Sequence, residues 1–69
     1  MPISGRTAIK ILEKNGYVVL RQKGSHVVLS KTTSLRKRTV VIPVHKELAK
    51  GTLRSIANQS GISIKDLGL

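Results

Sequence analysis

Arg21-Gln22-Lys23-Gly24-Ser25-His26 joins two apolar runs, Tyr17 to Leu20 and Val27 to Leu29. A tight basic turn that delivers one imidazole to the start of a strand holds the parts needed for chemistry on a phosphodiester. Cleaving RNA without a metal requires a base for the ribose 2′-hydroxyl proton, an acid for the leaving 5′-oxygen, and positive groups at the non-bridging oxygens. An imidazole suits the first two tasks, because its ordinary pKa of roughly 6.5 populates both forms near neutrality. Arg21, Lys23 and the backbone N–H groups around Gly24 and Ser25 supply the third, and the missing side chain of Gly24 leaves room for a phosphate. General acid–base catalysis contributes roughly 10² to 10⁴-fold, so one histidine makes a modest enzyme. On spacing alone, a lone histidine in a basic turn more often contacts phosphate, or nothing, than catalyses. His45, after Pro43, is a second and weaker catalytic candidate. Arg36, Lys37 and Arg38 form a basic patch that attracts RNA.

Composition narrows the partners. The 69-residue chain carries 13 Lys and Arg against three acidic residues, a formal net charge of +10. That excess points to a polyanion, nucleic acid first. The single aromatic residue, Tyr17, argues against modules that stack several unpaired bases on rings, so recognition should rest on phosphate and sugar. With no cysteine, two histidines and three carboxylates, neither a metal site nor any other cofactor is expected. No run approaches the roughly 20 apolar residues of a membrane span, and no signal-peptide pattern is present, so a cytoplasmic protein without a membrane partner is expected.

The elements that must position the turn can be read from periodicity. Ser4 has N-cap chemistry, and Ile3 before it can staple onto Ala8. Ala8, Ile11 and Leu12 repeat at helical spacing until Asn15-Gly16, which predicts a helix over about residues 4–15. Tyr17 to Gln22 and His26 to Lys31 read as a hairpin closed by Lys-Gly-Ser. Placing Arg21 opposite His26 pairs Val19 with Val28 and Tyr17 with Ser30 on an outer face. Val18, Leu20, Val27 and Leu29 then form an apolar inner face. Residues 31–37 read as a polar loop, and 38–44 as a third strand ended by Pro43. Leu53, Ile56, Ala57 and Ser60 form the stripe of a second helix that stops at Gly61 and starts at Lys50 or Thr52, with Arg54 and Asn58 sharing one face. A last short turn capped by Ser63 lies within residues 62–69. The expected fold is α+β, α-β-β-β-α over a single domain of residues 1–69: a three-stranded antiparallel sheet with both helices on its apolar face. This is the layout of the double-stranded RNA-binding domain.

Four stretches then carry a resemblance that reaches from about residue 4 to 62. Asn15-Gly16-Tyr17, Arg21-Gln22-Lys23-Gly24-Ser25-His26, Val41-Ile42-Pro43-Val44-His45 and Lys50-Gly51-Thr52-Leu53-Arg54-Ser55-Ile56 together resemble the HicA family of toxin endoribonucleases. The resemblance implies a fold like the double-stranded RNA-binding domain, ribosome-independent cleavage of single-stranded mRNA, neutralisation by a HicB-type antitoxin, and His26 as the catalytic residue. It reverses the weighting that spacing alone gave. The chain departs from the family at residues 31–38, where a shorter turn with Gly or Asp is common. The competing expectations are a non-catalytic RNA-binding module and a DNA-binding partner in a repressor complex.

Overall fold

The computed structural model describes residues 3–68. The elements run α1 (Gly5–Lys14), β1 (Val18–Lys23), β2 (His26–Thr32), β3 (Lys37–Pro43), α2 (Lys50–Ser60) and a closing 3-10 turn (Ile64–Leu67). The strands form one antiparallel sheet in the order β1-β2-β3. Both helices pack on one face of it. Ala8 and Leu12 of α1 meet Leu53 and Ile56 of α2 over Val27, Leu29, Val40 and Ile42. The α-β-β-β-α order and the single helix-covered face agree with the fold read from the sequence.

Local chemistry sets the ends of the elements. Ser4 caps α1, its Oγ accepting from the Thr7 N–H at 3.1 Å. Gly5 follows with no room for a side chain, because a Cβ there would overlap the Pro43 carbonyl and lie 2.9 Å from Val44 Cα. The Gly5 N–H donates to His45 O at 2.9 Å, which fastens the start of α1 to the segment leaving β3. No side chain caps α2, which follows Ala49. Buried Leu48 anchors its entry instead, with its N–H on Ile3 O at 2.8 Å. Gly61, at φ 75°, ends α2 in the left-handed conformation that favours glycine. The closing turn has Ser63 as its cap and puts Leu67 into the core, while Leu69 lies outside the described residues.

Three local expectations are corrected. Tyr17 is buried rather than on the outer face, and its hydroxyl donates to Ser60 O at 2.7 Å, tying the approach to β1 to the end of α2. Val18 and Leu20 are exposed rather than inward, because the pairing of β1 with β2 shifts between Val19 and Arg21, which leaves Leu20 unpaired and sets Val18 opposite Ser30 on the outer face of an edge strand. The basic connection between β2 and β3 is mostly strand. Lys31 and Thr32 pair with Arg38 and Lys37, leaving Thr33 to Arg36 as a tight turn. Thr33 closes it, with its N–H on Arg36 O at 2.9 Å and its Oγ1 accepting from the Leu35 and Arg36 N–H groups.

Candidate functional site

The β1–β2 turn is one residue shorter than Lys-Gly-Ser. Lys23 pairs with His26, so Gly24 and Ser25 alone make the reversal. Gly24 has φ 59°, and no non-glycine residue among those described has a positive φ, so the left-handed residue is the first of the two. That is the type II′ pattern, whose twist matches the flanking strands. Gln22 steadies it by donating Nε2 to Gly24 O at 3.1 Å. A Cβ on Gly24 would meet nothing within 4 Å, so the turn is open to solvent. Ladder bonding continues past the turn on the other side, where the Val44 N–H donates to Ser25 O at 2.6 Å.

This register determines what surrounds His26. Residues directly opposite in a ladder share a face, and alternate residues return to it. Val27 and Leu29 are buried, so His26 and Val28 occupy the outer face with their partners. The first row across the sheet is therefore Lys23, His26 and Pro43, and the second is Arg21, Val28 and Val41. Arg21 is not opposite His26, as the sequence suggested, but one row away on the diagonal. Lys23 takes the directly opposite place, where Cβ atoms lie about 5 Å apart, against roughly 7–8 Å for the diagonal. Both cations still stand on the histidine's face. His26 is exposed and its imidazole makes no hydrogen bond among the described residues.

The shift in pairing between Val19 and Arg21 leaves Leu20 as an extra residue in β1. It brings Val18 opposite Ser30 on the outer face and Val19 opposite Leu29. An apolar strip thus runs from Val18, 59% exposed, through Val28 to Val41, 44% exposed, beside the basic row. The sequence reading placed this strip at Val19, Val28 and Tyr17.

The structure separates the remaining basic candidates. Lys37, opposite Thr32, is on the outer face but six residues from His26 along the ladder, about 20 Å. Arg36 is exposed in the tight turn. Arg38 turns to the helix side, where its Nη1 donates to Gln59 O at 3.3 Å beside Gly61. Its positive charge partly offsets the effect of burial on Tyr17, whose phenol is nonetheless pushed above its ordinary pKa. His45 is exposed and lines a cleft of about 220 Å³ with Ser4, Arg6, Val44 and Lys46, a cleft to which His26 does not contribute. The two imidazoles are not brought into one cavity. Among the described residues, no three His, Cys, Asp or Glu side chains cluster closely enough to hold a metal ion.

A concavity of about 800 Å³ lies along α2 and is lined by Arg38, Lys50, Arg54 and Asn58, with Ala57 and Ile62 among its apolar walls. Of these, the sequence had shown only that Arg54 and Asn58 share a helix face. Lys50 extends the same four-residue row, a spacing visible in the sequence.

A strongly basic α+β fold with the layout of the double-stranded RNA-binding domain, showing a bare sheet face with histidine, lysine and arginine together, defines a small domain built to meet a polyanion. The family model describing the HicA toxin of bacterial toxin–antitoxin systems matches residues 5–62, and the chain belongs to that family. It is thus a toxin of such a system. A search of curated proteins finds no match. No described helix is long and apolar enough to cross a membrane.

Proposed function

We propose that this toxin is an endoribonuclease that cleaves single-stranded mRNA in the cytoplasm without a metal, through His26. The chain acts as one domain, residues 1–69. The observation that carries the reading is the row Lys23–His26, with Arg21 on the next diagonal, on a sheet face that no helix covers. In this reaction the imidazole moves the 2′-hydroxyl proton as the 2′-oxygen attacks phosphorus. The new P–O bond closes a 2′,3′-cyclic phosphate, the P–O5′ bond breaks, and the 5′-oxygen leaves as a hydroxyl after taking up a proton. Lys23, across from the imidazole, and Arg21, on the next diagonal, offset charge on the non-bridging oxygens, and Gly24 and Ser25 form the adjoining turn.

A HicB-type antitoxin neutralises the enzyme by covering this face. Three features favour an acidic partner with apolar residues at its centre: the Val18–Val28–Val41 strip, the adjoining basic row and the net charge of +10.

The test is His26→Ala, measured for cleavage and for RNA affinity. The His26 imidazole is exposed and unbonded, so the variant should keep its circular dichroism spectrum. Cleavage should fall by about 10² to 10⁴-fold, about 3–5 kcal/mol in barrier, with affinity nearly unchanged. Lys23→Ala should weaken binding as well as rate, since a phosphate contact acts in both ground and transition states. Products should end in 2′,3′-cyclic or 3′-phosphates and 5′-hydroxyls, with EDTA making no difference. Cleavage at the parental rate by a folded His26→Ala protein would remove the assignment and move the search to His45.

A further inference from the structure

The groove along α2 lies outside the site just described, and its geometry links it to that site. Val44 bonded to Ser25, and Gly5 bonded to His45, fix the segment before α2 at the His26 end of the sheet. Arg38 bonded to Gln59 fixes the other end of α2 beside the start of β3. The helix therefore runs back along β3, from the His26 end to the far end. Lys50, Arg54 and Asn58 stand at four-residue intervals, which stacks them on one helix face with a rise of about 6 Å between neighbours. Arg38 continues the row across the groove at its far end. Lys50 and Arg54 are exposed and their side chains make no hydrogen bond among the described residues, so both heads are free to meet a ligand.

We propose that this groove is a second polyanion site, which holds the phosphodiester backbone of an RNA strand as it leaves the His26 face around the edge of β3. The proposal rests on the ribonuclease reading above. Three cations and an amide spaced along a trough fit a linear ligand with repeating negative charge better than a compact anion, which a single cluster would hold. The walls contributed by Ala57 and Ile62 offer apolar surface to sugars but no aromatic ring to a base, so the groove should grip RNA of any sequence. Sequence preference, where it exists, then belongs to the outer sheet face. The groove's contribution is affinity and the direction in which the strand runs.

The experiment uses the full chain carrying His26→Ala, so that RNA survives the measurement. Anisotropy of a labelled oligouridylate is followed through a salt series for this protein and for the same protein with Lys50→Ala and Arg54→Ala. A third protein carries Lys10→Ala and Lys14→Ala on α1, which removes the same charge elsewhere. If each groove cation holds one phosphate, the slope of log affinity against log salt should become shallower by about 1.4, two contacts at about 0.7 each. The α1 pair should change it much less. Equal losses in the two double variants would reduce the groove to net charge and overturn the proposal. So would an unchanged slope together with lost binding to the antitoxin, which would assign the groove to an acidic protein segment. A His26→Ala protein that binds no RNA at all would bring down the ribonuclease reading as well, whereas parental RNA binding with an indifferent groove overturns only the groove.

Discussion

Gly5 is where fold and site are most tightly joined, and Gly5→Ala tests that junction. The added Cβ would overlap the Pro43 carbonyl and approach Val44 Cα to 2.9 Å, both backbone atoms that cannot rotate away. The start of α1 must then lift from the end of β3, which also stretches the 2.9 Å bond from the Gly5 N–H to His45 O. Overpacking of this kind costs about 1–3 kcal/mol, and a lost hydrogen bond adds about 0.5–1.5 kcal/mol. A 69-residue domain has about 3–10 kcal/mol of stability in all, at 0.05–0.15 kcal/mol per residue. A loss of about 2–4 kcal/mol should lower the melting temperature by roughly 10–30 °C, at about 4–8 °C per kcal/mol for a domain of this size. Thermal denaturation followed by circular dichroism, in the His26→Ala background to spare the expression host, reads this directly. Pro43 is the partner of His26 in the ladder, so whatever remains folded should also cleave RNA more slowly when His26 is restored. A Gly5→Ala protein that melts within about 2 °C of its parent would refute the packing argument.

Tyr17→Phe removes the hydroxyl that donates to Ser60 O and should cost about 1–3 kcal/mol, read as a lower urea midpoint. Burial raises the Tyr17 phenol above its ordinary value of 10, so the unfolded chain ionises first as pH rises. Stability should therefore hold below about pH 10 and decline above it until the folded phenol also ionises, a decline that the Phe variant lacks. In the complex with antitoxin, hydrogen exchange should slow over residues 21–28 and at Val41. Protection confined to α1 would place neutralisation elsewhere.

Both helices were legible in the sequence because their buried residues recur at helical spacing and glycines with positive φ end them. Leu12, Leu53 and Ile56 sit where periodicity puts them. The hairpin was legible as a hairpin but not in register. Lys-Gly-Ser accommodates a two- or three-residue turn equally well, and only the paired backbone decides that Lys23 belongs to β1. Strict alternation suggested an inner face for Val18 and Leu20 and an outer one for Val19, but the shifted pairing sends Val18 to the outer face opposite Ser30, sets Val19 opposite Leu29 and leaves Leu20 unpaired, and all three are exposed on the edge strand. The stretch from Lys31 to Lys37 looked like loop by composition. Antiparallel pairing carries polar residues readily where one face is open to water, and Thr33 supplied a tight closure that a count of polar residues does not reveal.

The misplacement of Tyr17 has the same origin as the arrangement of the site. Tyr17, Val19, Arg21 and Lys23 have one parity, and a regular strand would turn all four toward the same side. The extra residue at Leu20 breaks that parity in the middle of β1. Beyond it, Arg21 and Lys23 stay on the outer face with His26. Before it, Val18 takes the outer position, and the next residue back, Tyr17, falls on the helix side where its hydroxyl reaches Ser60 O. One bulge therefore lets a short edge strand do two jobs that strict alternation would set against each other. Its final residues remain a basic wall beside the histidine, while its approach is anchored by a buried tyrosine to the end of α2. The anchoring matters to the chemistry, because β1 has little helix cover of its own. Without the Tyr17 tie, the position of Lys23 across from His26 would depend on the β1–β2 ladder and the Gly24-Ser25 turn alone.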